Sequence, residues 1–62
     1  MNQLKNIRLD YKWTQQFVAN SIGITKASYS NIENGNRNPS IQVALKIQKL
    51  FNQPLEKLFK SD

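Results

Sequence analysis

Asp10, Glu33, Glu56 and Asp62 are the only acidic side chains in a sequence that contains neither histidine nor cysteine. No two of them are neighbours along the chain, so their spacing suggests no general acid–base pair. Without His and Cys there is no imidazole base, no thiol nucleophile, no disulfide scaffold and no thiolate–imidazole metal site. The expectation is a protein that is not an enzyme and uses no cofactor and no metal. What remains is donor chemistry. Nine Lys and Arg leave a net charge of +5, which draws a small protein toward polyanions, above all nucleic acid or an anionic membrane surface. An ordinary solvated surface can carry the same charge. The richest set of hydrogen-bonding types lies between residues 25 and 31. If Tyr29 and Ile32 point inward on a helix, then Lys26, Ala27, Ser30 and Asn31 share the opposite face through i, i+4 steps, flanked by Thr25 and Ser28. A lysine suits guanine O6 or N7, an alanine methyl suits a thymine methyl, and an asparagine can pair with adenine through two bonds. A solvated helix face could have the same composition.

Holding such a face requires helices, and the apolar residues recur at helical spacing. Leu4, Ile7 and Tyr11 predict a first helix of about three turns. Thr14 is a natural N-cap for a second, with Val18, Ala19 and Ile22 inward and Gly23 as its stop. Thr25 caps a third, running to Glu33 or Asn34, which Asn34-Gly35 ends with the two residue types that best tolerate left-handed backbone. Pro39 keeps Asn38 out of helical geometry, and Ser40 caps a fourth helix with Ile41, Ala44, Leu45, Ile47, Gln48 and Phe51 in helical period. Asn52 ends it, and Pro54, at a first helical position, opens a short fifth segment to Phe59. Ser61 and Asp62 are expected to fray. No alternation of strand type, no repeat and no low-complexity linker is present.

These elements predict an all-α fold, a compact five-helix bundle formed by one domain, residues 1–62. No separate sensor domain is expected within these sixty-two residues, and a chain so short buries only roughly 60% of the surface that its unfolded form exposes. No run of about 20 apolar residues occurs, so no membrane span is expected, nor is a signal peptide. The expected location is the cytoplasm. Lys46 and Lys49 of the fourth helix read as a solvated face rather than a membrane-binding stripe.

A small residue, Ala19, followed four positions later by Gly23 suits two short helices crossing closely around a tight turn, a helix-turn-helix. Many amphipathic helices also end this way. The longer run carries more. Gln15, then Ala19, Gly23 and Ile24, then Ile32-Glu33-Asn34-Gly35 and Asn38-Pro39-Ser40 stand in one register, and the sequence from Ala44 to Phe59 continues it. Across nearly its whole length the chain resembles the Cro and phage-repressor type of helix-turn-helix transcriptional regulators. The resemblance implies a lambda-repressor-like bundle with the motif in helices 2 and 3, and sequence-specific binding of double-stranded DNA. It further implies a prokaryotic or phage-type repressor working as a homodimer on a palindromic operator.

Under that resemblance the residues near the start of helix 3 read bases, making Thr25, Lys26, Ala27, Ser28, Ser30 and Asn31 candidate DNA contacts. Gln15, at a helix N-terminus, is a candidate for phosphate and in the family also braces the recognition helix. Asn36 and Arg37 follow in a donor-rich loop, Arg37 suited to a two-pronged grip on phosphate; Asn34 fits turn chemistry as well as contact. The resemblance also implies that Arg8 and Glu33 pair, a structural role. Trp13 and Phe17 read as core or core-edge residues. Two departures from the family stand out: Lys12 occupies a turn position where glycine is common, and Tyr29 one where a β-branched aliphatic is common, so its hydroxyl needs a polar neighbour. Leu55, Leu58 and Phe59 form an apolar cluster near the C-terminus and are the expected homodimer contact. The alternative is an antitoxin or adaptor-type regulator, in which that same apolar surface binds a partner protein controlling activity.

Overall fold

The computed structural model describes residues 2–60; the fraying expected of Ser61 and Asp62 falls outside them. Five helices follow one another among the described residues, with no strand: α1 (Leu4–Asp10), α2 (Gln15–Ile22), α3 (Lys26–Glu33), α4 (Ile41–Phe51) and α5 (Leu55–Leu58). Three begin as their sequences predict. The hydroxyls of Thr14, Thr25 and Ser40 accept the backbone N–H groups of Phe17, Ser28 and Val43, each satisfying a donor that the first turn leaves without an intrahelical partner. α2 stops at Gly23, whose φ is +79°. A β-carbon there would meet no atom within 4 Å, so the backbone angle, not crowding, is what asks for glycine.

The core is built from Leu4, Val18, Ala19, Ile22, Tyr29, Ile32, Ile47, Phe51 and Leu58, all buried. Ala19 at the centre of α2 lets α3 cross closely, as its size suggested. Around Phe51 the rings of Tyr11, Trp13 and Phe17 extend the core to the surface. Tyr11 and Trp13 stack with centroids 4.4 Å apart, and Trp13 meets Phe51 edge-on at 5.6 Å. The Tyr11 hydroxyl donates to the Phe51 carbonyl at 2.6 Å, tying the end of α1 to the end of α4. Trp13 thus stands at the core edge as expected, whereas Phe17, 46% exposed, corrects the expectation: it lies on the surface, its ring tilted against Trp13 at 5.3 Å.

Several boundaries and faces differ from expectation. α1 has seven residues, about two turns rather than three, because the chain turns at Tyr11-Lys12 to bring Trp13 back against Arg8. Asn34 remains right-handed, and only Gly35 takes positive φ. Pro54 caps α5 from outside instead of occupying its first turn. In α4 the inward residues are Ile47 and Phe51, supported by Val43 and Leu50, whereas Ile41 and Leu45 face solvent.

The largest correction concerns the C-terminal cluster. Leu58 is fully buried, and Leu55 and Phe59 are half-buried against the core. The segment closes the core from below, its Leu58 carbonyl accepting the Gln3 N–H. Leu58 therefore cannot form the homodimer or partner contact expected of it, and Leu55 and Phe59 present only their half-exposed sides.

Lys12, at the turn position where glycine is common, is strained: its φ is +61°, a conformation that costs an L-residue about 1–2 kcal/mol. Glycine removes that cost and gives back about 0.5–1 kcal/mol through its freer unfolded chain. Lys12→Gly is expected to stabilise the protein by about 0.5–1 kcal/mol, raising Tm by several degrees in a thermal melt. An unchanged or lower Tm would show that the turn is not strained.

Candidate nucleic-acid interface

The third helix sorts its residues as the i, i+4 argument requires. Tyr29, Ile32 and Glu33 are buried; Lys26, Ala27 and Asn31 are exposed, and Ser28 and Ser30 are half-buried. Lys26, Ala27 and Asn31 therefore project together from the side of α3 away from the core. Thr25 and Ser28 are tied to each other. The Thr25 hydroxyl donates to Ser28 Oγ at 3.0 Å and accepts the Ser28 N–H at 3.1 Å. The two hydroxyls thus hold each other at the start of α3, where Thr25 is occupied chiefly with capping. Ser30 Oγ accepts from the Asn34 amide at 3.4 Å, which ties it to its own helix.

The loop after α3 is held by that helix. The N–H groups of Asn36 and Arg37 both donate to the Asn31 carbonyl, at 2.9 and 3.2 Å. Their side chains are exposed beside the face that carries Asn31. A groove of about 330 Å³ runs between α3 and the loop, bordered by Ser28 on one wall and Arg37 and Asn38 on the other. Side chains of types suited to base edges on α3 and a guanidinium suited to phosphate thus lie on neighbouring elements beside one groove.

Behind this face lies a buried ionic brace. Arg8 Nε and Nη2 donate to the two oxygens of Glu33 at 2.9 and 3.1 Å, and Arg8 Nη1 donates to the Trp13 carbonyl at 2.7 Å. Gln15 adds a bond from Nε2 to Glu33 Oε1 at 3.2 Å. This joins α1, the start of α2 and the last turn of α3, and it gives Gln15 the bracing position; its half-exposed side chain also stays at the N-terminus of α2. Burial works to raise the Glu33 pKa, but the hydrogen bonds it receives and the Arg8 charge outweigh burial and hold the carboxylate below its ordinary range. The hydrogen bond to Glu33 raises the Arg8 pKa further against its own desolvation.

Tyr29 has the polar neighbour its hydroxyl needs, but not a bond to it. The oxygen is buried without a hydrogen-bond partner. Burial first, and the Glu33 carboxylate second, push the phenol well above its usual pKa.

Sequence reasoning overlooked Asn2, whose amide donates to the Ile32 carbonyl at 2.8 Å and so ties the N-terminus to the end of α3. It also set Ile41 and Leu45 in one helical period with Ile47 and Phe51, without separating the outward pair from the inward one. A signal existed there, since Ser40 as cap puts Ile41 at the first helical position, where the loop rather than the periodicity sets the facing side. Among the described residues no cluster of acidic, His or Cys side chains suits a metal, and no helix is long and apolar enough to cross a membrane.

Comparison with known proteins agrees with this arrangement. Residues 4–58 match the helix-turn-helix family. The chain is 33% identical over 58 residues to the HTH-type transcriptional regulator YgzD of Bacillus subtilis, covering 94% of this chain and 88% of that protein. It is 33% identical over 57 residues to an HTH-type transcriptional regulator of Archaeoglobus fulgidus, covering 92% and 81%. It is also 28% identical over 57 residues to the cryptic phage CTXphi transcriptional repressor RstR of Vibrio cholerae, covering 92% of this chain and 51% of that protein.

Proposed function

This chain belongs to the helix-turn-helix family of Cro and phage-repressor type, DNA-binding transcription regulators, and from that premise we propose that it is a repressor acting as a homodimer on a palindromic operator. The observation that carries the reading is the exposed face of α3. Lys26, Ala27 and Asn31 project together from a helix braced from behind, and Asn36 and Arg37 are anchored on the carbonyl of Asn31 itself. Lys26 and Asn31 offer the donor patterns for guanine and adenine, and Ala27 a methyl for thymine. Ser28 offers a half-exposed hydroxyl to a base or a phosphate, while Thr25 and Ser30 contribute mainly by holding the helix start and the loop. Gln15 at the start of α2 and Arg37 in the loop take phosphates on either side of the groove. Two copies related by a two-fold axis place their α3 helices about 34 Å apart on successive turns of the duplex. Occupancy of such a site in the cytoplasm blocks polymerase, the repressor role that kinship with RstR favours.

In vitro selection from a random duplex library at about 150 mM salt, where phosphate-only binding is weak, tests this directly. The expected result is a palindrome with half-site centres roughly 10 base pairs apart. Weak, steeply salt-dependent binding with no enriched sequence overturns it. On the selected site, Lys26→Ala and Asn31→Ala are each expected to cost about 1–3 kcal/mol and to relax preference at one base position. Arg37→Ala should weaken binding to all sequences alike and reduce the salt slope by about 1. Gel-shift titrations at three salt concentrations separate the two kinds of effect.

A further inference from the structure

Two of the large apolar side chains on the surface stand one turn apart on α4. Ile41 is 80% exposed and Leu45 48%. The helix has already given Ile47 and Phe51 to the core, so these two form a second, outward stripe. Residues 40 to 45, Ser40-Ile41-Gln42-Val43-Ala44-Leu45, carry no charge in a chain whose net charge is +5. The stripe also has a particular place. Ile41 directly follows the loop that carries Arg37, and Ser40 and Val43 border the same groove as Ser28 of α3. The start of α4 thus adjoins the DNA-reading side.

We propose that the Ile41–Leu45 stripe of α4 is the surface through which a second copy of this chain packs on adjacent DNA. The inference rests on the operator reading above and supplies the contact that the buried C-terminal segment does not. Three observations favour a second copy as the occupant. A contact between identical cationic chains needs a neutral stretch, since like charges meeting across a two-fold axis repel, and residues 40 to 45 are one. Side chains at i and i+4 form a ridge that can seat beside the same ridge of a copy in crossed-helix packing. The dimensions agree as well. The molecule measures 26 × 23 × 18 Å, so two copies reading half-sites about 34 Å apart come close to touching, and they meet on sides that adjoin α3.

The size of the stripe sets how the contact works. Stable dimers bury about 800 Å² on each partner, close to a fifth of the 4283 Å² surface of this protein, and two aliphatic side chains supply much less. The contact is therefore weak in free solution and becomes effective on DNA, where neighbouring half-sites hold two copies at effective concentrations in the millimolar range. The protein is a monomer that pairs as it binds.

Titration of the full chain onto duplexes carrying one or two copies of the selected half-site tests this, with Ile41→Ser/Leu45→Ser as the variant. Neither residue contacts DNA in the reading above, and both lie outside the core. The unaltered protein is expected to bind paired half-sites cooperatively, about 10-fold or more tighter per site than a lone half-site. The variant should keep its affinity for the lone half-site within about 2-fold and lose the cooperativity. Cooperativity retained by the variant, or absent from the unaltered protein, overturns the proposal. A second measurement does not depend on the operator. In a dilution series of the free, nitrogen-15-labelled chain from about 1 mM, concentration-dependent amide shifts should gather at residues 40–46 and vanish in the variant. Shifts that gather elsewhere, or none at all, overturn the proposal. If selection enriches no sequence while these shifts appear, the operator reading fails and the self-contact stands.

Discussion

Replacing Arg8 by alanine should destabilise the protein by about 3–5 kcal/mol, because it strands the Glu33 carboxylate in the interior without its cation. Domain stabilities run to about 5–15 kcal/mol, and a core this small belongs near the low end, so Arg8→Ala should be largely unfolded or close to it at 25 °C. The side chains are 8% and 1% exposed, so solvent cannot take over the solvation of either charge. Arg8→Lys keeps a charge but loses the two-pronged geometry and the Trp13 carbonyl bond together, and should fall between. Urea unfolding of the three proteins at pH 7 measures this. A loss under about 1 kcal/mol for Arg8→Ala would mean that the pair is not the brace described. The same pair sets an acid limit. The pKa of Glu33 is lowered on folding from its ordinary value of 4.5. Its contribution to stability is thus complete above about pH 4.5 and is lost as pH falls through the lower folded value. Because Gln15 bonds to the same carboxylate, acid should loosen the start of α2 and the end of α3 together.

Leu58→Ala is the second large effect expected, a loss of about 3–5 kcal/mol, the range for a leucine truncated in a rigid core. Leu58 is the one fully buried side chain of a four-residue helix. Its removal should release α5 from α4 and open the underside of Phe51. Melts at two protein concentrations discriminate this role from a dimer contact. A core leucine lowers Tm equally at both, whereas an interface leucine leaves the dilute sample unchanged and flattens the dependence on concentration. Ile41→Ser/Leu45→Ser should behave oppositely, with Tm of the free chain almost unaltered.

These results bear on which residues could be judged before the fold was seen. Local chemistry was legible. Thr14, Thr25 and Ser40 cap helices because a hydroxyl accepting the N–H three residues on needs nothing beyond its own turn. Gly23 ends α2 for an equally local reason, and the inward pair Tyr29 and Ile32 leaves Lys26, Ala27 and Asn31 outside by helical geometry alone. The pairing of Arg8 with Glu33, 25 residues apart, followed only from family resemblance, since no local rule joins residues so distant.

The sequence by itself thus determined the helices, their caps and stops, the facing of α3 and the absence of thiol and imidazole chemistry, all of which depend on neighbours within one or two turns. Tertiary structure alone decided which of two overlapping apolar periods in α4 would be buried, and whether Leu58 or Ile41 would be left on the surface. Burial there is a competition for one small core. Ile47, Phe51 and Leu58 take buried places in it, and Ile41, one residue past the polar loop, is left 80% exposed.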